Sequence, residues 1–137
     1  MAKFVATDYS ITVAGTDFST SLASAELTIE SDDVETTAFG SAGGWRTRVG
    51  GLKQASVTLE FHQDFGAASV DAVLFPLLNT LATVVIKPTS SSTSATNPSY
   101  TAVCLVNQYQ PFASSVGDLA TLSVTWPVSG SVVRGTA

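Results

Sequence analysis

Charge is scarce in this chain. Asp, Glu, Lys and Arg make up 12% of its residues, about half of the ~25% usual for a soluble domain. From Ala72 onward only Lys87, Asp118 and Arg134 are charged. A monomer with that surface would expose broad, weakly polar area and tend to associate, so burial against other subunits is expected. Cysteine is scarcer still: Cys104 stands alone, which excludes an internal disulfide and a multi-thiolate metal site. Six basic residues face eleven acidic ones, for a net charge of −5. That balance excludes a tight grip on nucleic acid, which needs Lys and Arg to neutralise phosphates. No apolar run approaches the ~18 residues of a membrane helix, and residues 1–10 lack the apolar stretch of a secretory signal. The expectation is a soluble protein made in the cytosol, without a membrane partner. Its 137 residues suit one domain spanning residues 1–137, held by packing alone.

Period-two alternation is the dominant pattern. Ala55, Val57, Leu59 and Phe61 interleave with Ser56, Thr58, Glu60 and His62, as in a half-buried strand. Tyr9, Ile11 and Val13 repeat the pattern, as do Ala25, Leu27 and Ile29, and later Leu122, Val124, Trp126 and Val128. Residues 83–87 and 100–109 also read as strands, apolar enough on both sides to be covered on both faces. Six or more strands follow, so the expected fold is mainly β: an antiparallel β-sandwich or barrel-like pair of sheets.

One segment departs from alternation. Val70, Val73, Leu74, Leu77, Leu78 and Leu81 form the apolar stripe of a helix. A flanking helix within residues 67–81 is predicted, lying across one sheet. Pro76 falls inside it and predicts a kink or a short first segment ending at Phe75.

Two long connections remain. Residues 31–52 contain Gly40, Gly43, Gly44, Gly50 and Gly51 together with Phe39, Trp45 and Arg46. A loop of that length is uncommon in a compact domain unless it binds something. Residues 88–99 form a Ser/Thr tract closed by Pro98 and read as an exposed hairpin tip or a mobile flap.

No catalytic constellation emerges. His62 is the sole histidine, on a solvent-facing strand position without the glycines of a nucleophile elbow, and reads as a surface residue. Cys104 lies in an apolar strand without a histidine partner and belongs to the core or an interface. Glu30, Asp32, Asp33 and Glu35 lack the spacing of a calcium loop and read as a solvated strand end. Gly40 to Gly44 lack the Gly-Lys-Ser/Thr ending of a phosphate cradle, which leaves a pliable contact loop. Neither cofactor nor metal is implied.

The order of three pieces then carries a resemblance: Thr36-Thr37-Ala38-Phe39-Gly40, then Trp45-Arg46-Thr47-Arg48, then Val49-Gly50-Gly51-Leu52-Lys53 opening the strand to Phe61. This order, followed by Asp64 and the helical stripe, resembles the tail tube proteins of long-tailed bacteriophages. The resemblance is close over the middle third of the chain and holds elsewhere only in element order and length. It implies a structural virion protein, not an enzyme, made in the bacterial cytoplasm and placed in the virion tail. Six copies would join sheets edge to edge into a ring, and rings would stack into a hollow tube for DNA ejection. The implied partners are other copies of itself, the tape measure and tail terminator proteins, and weak non-specific contact with passing DNA. The segment before the glycine-leucine step would reach a neighbouring subunit or ring, making Phe39, Trp45, Arg46, Arg48, Gly50, Gly51 and Leu52 the interface candidates. Two alternatives stay open: a tail terminator or head decoration protein of similar fold, and a carbohydrate-binding sandwich using Trp45, Tyr100, Tyr109 and Trp126.

Overall fold

The computed structural model describes residues 3–40 and 42–137; Met1, Ala2 and Ser41, the last within the expected glycine-rich loop, lie outside them. Among the described residues, eight strands and one α-helix follow in chain order. Strands β1 (Ser10–Val13), β2 (Thr16–Asp17), β5 (Leu81–Lys87), β6 (Ser99–Leu105) and β8 (Val133–Gly135) form a five-stranded antiparallel sheet in the order β2-β1-β5-β6-β8. Strands β3 (Leu22–Glu35), β4 (Arg48–His62) and β7 (Thr121–Pro127) form a second sheet in the order β3-β4-β7. The two sheets face each other, as the alternation predicts.

Alternation explains which residues meet between them. Val57, Leu59 and Phe61 of β4 and Leu122, Val124 and Trp126 of β7 are buried against Ile11, Val13, Ala82, Val84, Ala102 and Cys104 of the larger sheet. Phe18, just after β2, meets Phe61 edge-on with ring centroids 5.7 Å apart. The Trp126 ring is fully buried, and its indole N–H is satisfied by the Gln108 carbonyl at 2.9 Å. The chain leaving β7 then crosses to the other sheet. Val128 bridges to Cys104, and Ser129 N–H bonds the Val103 carbonyl at 2.7 Å. The sandwich is thereby closed along its β6–β7 side.

The helix, α1, covers Val70–Leu77, shorter than the predicted 67–81. Pro76 has no N–H to continue the helical ladder, and the chain leaves helical geometry at Leu78 before β5 opens at Leu81. The helix flanks the sandwich and buries Val70 and Leu74 in the core shared by the two sheets. Asp64 shapes its approach: its carboxylate accepts the Gly66 N–H at 2.8 Å and its carbonyl the Asp71 N–H at 3.1 Å.

Three further expectations are corrected. Residues 31–52 are not a loop at either end, because β3 runs on to Glu35 and β4 starts at Arg48, so that only the stretch between them lies outside the two strands. Residues 106–109 leave the strand, which ends at Leu105. The larger sheet is not covered on both faces: Thr83 is exposed on its outer side, and Val85, Val103 and Leu105 are half-buried there. Residues 88–99 are a hairpin connection between β5 and β6, gathered by Asn97. Its side-chain amide donates to the carbonyls of Ser91 at 2.9 Å and Ser92 at 3.3 Å.

Leu59→Ala is expected to destabilise the domain by about 2–5 kcal/mol, since it empties a fully buried site. Leu52→Ala, at a side chain 81% exposed, should change stability by less than about 0.5 kcal/mol. Urea unfolding of both variants checks the pair.

Candidate assembly surfaces

The seven interface candidates all fall on one feature, a β-hairpin arm that outgrows the sandwich. β3 and β4 stay paired from Leu22↔Phe61 to Glu35↔Arg48, but β7 reaches only Pro127, opposite Ser56. Beyond that point the ribbon is two strands wide. Every residue described from Ile29 to Gln54 is exposed, apart from Ala42, whose side chain lies outside the description. At ~3.3 Å per residue the paired part of the arm projects about 20 Å.

Its tip is built rather than slack. Thr36 N–H bonds the Thr47 carbonyl at 2.8 Å, and Thr47 N–H bonds Thr37 Oγ1 at 2.9 Å. Arg48 pairs with Asp33 at 2.6 Å and Arg46 with Glu35 at 3.4 Å across the ribbon. Exposed pairs of this kind add little stability, yet they fix register and leave neither guanidinium without a carboxylate. Gly43 adopts a left-handed backbone (φ 70°), and a Cβ there would stand 3.2 Å from the Trp45 ring, so the indole folds over the glycine. Gly51 sits at the register shift opposite Asp32, where a Cβ would meet the Asp32 Cβ at 3.2 Å. Gly50 lies beside it, opposite Asp33. Phe39 and Trp45, at the tip, are 108% and 79% exposed, and Leu52 faces solvent along β4. Large apolar side chains held in water on a defined ribbon are what an intersubunit contact requires.

A second surface was not singled out by the sequence reading. The solvent face of the three-stranded sheet carries Glu26, Thr28 and Glu30 from β3, Gln54, Ser56, Thr58 and Glu60 from β4, and Ser123 and Thr125 from β7. It holds hydroxyls, an amide and three carboxylates but no lysine or arginine. The alternation that placed Val57 and Leu59 in the core also assigns this face.

The remaining candidates separate. His62 ends β4 as an exposed residue. Cys104 is fully buried, and burial pushes its thiol up to about 11, so thiolate chemistry at neutral pH is suppressed. Glu30, Asp32, Asp33 and Glu35 are strung along β3, two of them held by arginines. Among the described residues no group of acidic, histidine or cysteine side chains is placed to hold a metal ion, and no helix is long and apolar enough to cross a membrane. The four aromatics of the carbohydrate reading do not share a face: Trp45 is at the arm tip, Trp126 in the core, and Tyr100 half-buried on β6. Tyr109 is tied to the helix by a hydrogen bond donated to Asp71 Oδ1 at 2.6 Å, while its oxygen accepts from Gln63 Nε2 at 3.1 Å.

No protein-family model matches the chain, and no curated protein matches its sequence. Solved structures do match in fold. A chain in the virion of a native gene transfer agent particle superposes with a TM-score of 0.75 at 13% identity, covering 94% of this chain and 96% of its own length. A chain from the tail of an empty gene transfer agent particle, solved with C6 symmetry, gives a TM-score of 0.61 at 16% identity, covering 85% and 83%.

Two measurements test the site. Trp45→Ala, or replacement of residues 40–48 by a short Gly-Ser linker, should leave a folded β domain with a nearly unchanged melting temperature while suppressing self-association, read by calorimetry and sedimentation. The Tyr109 phenol is pushed up to about 12 by burial, reinforced by its bond to Asp71. Its folded pKa therefore lies above the unfolded value near 10, so its contribution is intact below ~10 and is lost as pH rises from ~10 towards 12. In urea unfolding at stepped pH, Tyr109→Phe should flatten that alkaline decline relative to wild type.

Proposed function

We propose that this chain is the repeating subunit of a phage-like tail tube: six copies close a ring, rings stack into a hollow conduit, and DNA passes through it during ejection. The observation that carries this reading is the fold shared over 94% of the chain with a virion component of a gene transfer agent, joined by the likeness to a sixfold-symmetric tail. On this reading the protein is structural and has no catalytic task.

The geometry supplies parts for each step. The three-stranded sheet ends in two different edges, β3 and β7, and joining unlike edges gives a head-to-tail contact, the kind that makes a ring when the rotation between copies closes. Its outer face would then run continuously around the inside of the ring. Glu26, Glu30 and Glu60 would repeat there sixfold, repelling phosphates so that DNA slides rather than sticks. The arm would reach a neighbouring subunit or ring, burying Phe39, Trp45 and Leu52. A tape measure protein within the lumen and a terminator on the last ring would be the further partners, in a tail assembled in the host cytoplasm.

Electron microscopy of the concentrated protein should show hollow tubes with sixfold symmetry; monomers persisting under all conditions would overturn the reading, and single unstacked rings would favour a terminator. Tubes of Glu26→Lys/Glu60→Lys should retain duplex DNA at low salt and release it as salt rises. Failure to retain it would mean that another face lines the channel.

A further inference from the structure

The two edges of the three-stranded sheet are not equally available. Successive residues of a strand turn their backbone groups to opposite sides. In β7 the even residues face β4, as the backbone bonds on either side of the strand show: Val128 N–H to Ala55 carbonyl at 3.0 Å, and Gln63 N–H to Ala120 carbonyl at 2.8 Å. The odd residues Thr121, Ser123, Thr125 and Pro127 therefore turn theirs outward. Three of those four positions are stopped. Thr121 N–H donates to Ser114 Oγ at 3.1 Å and Thr125 N–H to Gln108 Oε1 at 3.2 Å, while Pro127 has no N–H. Both stoppers come from the connection between β6 and β7.

β3 is the opposite case. The even residues of β4 face β3, so Ala25, Leu27 and Ile29, opposite Leu59, Val57 and Ala55, turn their backbone groups outward. No hydrogen-bond partner meets them among the described residues. Beside them lies an apolar groove of about 390 Å³, lined by Leu27, Ile29, Ile86 and Tyr100 among others. One edge is ready to receive a strand and the other is occupied.

Resting on the tail-tube reading, we propose that Gln108 and Ser114 form a latch on the β7 edge: they hold the subunit out of assembly until the β3 edge of a second copy displaces them and takes the Thr121, Ser123 and Thr125 donors. The placement of the two side chains fits release without unfolding. Gln108 stays anchored through its carbonyl on the Trp126 indole, and Pro111 through its carbonyl on Gln63 Nε2 at 2.9 Å. Gln108 needs only a rotamer change. Ser114 lies in residues 112–120, which are exposed throughout and carry the exposed apolar side chains Phe112, Val116 and Leu119. A latched edge also gives the subunit a protected strand while it waits in solution, where an open edge invites uncontrolled pairing.

The test compares wild type, Gln108→Ala/Ser114→Ala and Ser123→Pro by sedimentation and electron microscopy across concentration. The double variant retains the Gln108 carbonyl and so its hold on Trp126. Two neutral hydrogen bonds no longer broken on assembly should lower its critical concentration about tenfold. Ser123→Pro removes the last free outward donor while sparing the ladder to β4, and should give a folded monomer, checked by circular dichroism, that forms no rings. An unchanged critical concentration in the double variant, with wild type forming tubes, overturns the latch and leaves the tail-tube reading standing. Normal ring formation by Ser123→Pro shows that the seam lies elsewhere and also overturns it. If wild type forms neither rings nor tubes at any concentration, the tail-tube reading falls and the latch with it.

Discussion

The position of β4 as the middle strand of a three-stranded sheet is the constraint on which the rest depends. Its parity decides three things together. Odd residues send their side chains into the core, where Val57, Leu59 and Phe61 are fully buried, and their backbone groups to β7. Even residues send Ser56, Thr58 and Glu60 to the opposite face and their backbone groups to β3. A slip of one residue would exchange the buried and solvent sets at once. The core therefore enforces the register on which the acidic face and both sheet edges rely, and the surfaces proposed for assembly inherit their precision from packing.

The arm follows from a mismatch of lengths. β3 and β4 have 14 and 15 residues whereas β7 has 7, so the hairpin continues after its third strand has turned away towards β6. A two-stranded ribbon in water is marginal by itself. Here it is extended from a sheet that already fixes its register, and fastened near the tip by Arg48 to Asp33 and by the Thr36 and Thr47 hydroxyls, 2.8 Å apart. What the ribbon lacks is a covering layer. Val34, Val49 and Leu52 are each at least half exposed, and burying them between subunits returns hydrophobic free energy that the monomer forgoes. The scarcity of charge across the chain has the same meaning.

Much of this was legible in the sequence because alternation speaks directly about burial. The inward and outward sets of β4 and β7 were readable residue by residue, whereas beside Ile11 and Val13 of β1 the alternation misplaces Tyr9, which is exposed, and Ser10, which is buried; the helix betrayed itself by its change of period. The arm reads as a loop in the sequence because its five glycines mask pairing that no hydrophobic face accompanies: an exposed ribbon has no core side to generate a pattern. The short strands β2 and β8 were invisible for a related reason, since two or three residues carry no periodicity. The latch side chains Gln108 and Ser114 gave no signal, because a hydrogen bond to a distant backbone N–H depends on how the β6–β7 connection returns along the sheet. Pro127 is the exception, since a proline closing a strand already marks an edge.

The two proposed surfaces place opposite demands on one sheet. A lumen that passes DNA must not hold it; the face proposed for that role carries carboxylates and hydroxyls and no lysine or arginine, and the two arginines of the arm are neutralised by Glu35 and Asp33. A seam must hold subunits without that face contributing, because like charges would be brought together around the ring. Backbone hydrogen bonding along strand edges meets both demands: it is strong in number, carries no charge, and lies in the plane of the sheet rather than on either face. A side-chain grip on the same face would have needed lysine or arginine opposite Glu26 and Glu60, which would also have gripped the passing phosphates. An uncharged seam beside an acidic channel, as proposed, would thus allow a tube to be tightly closed and yet slippery inside.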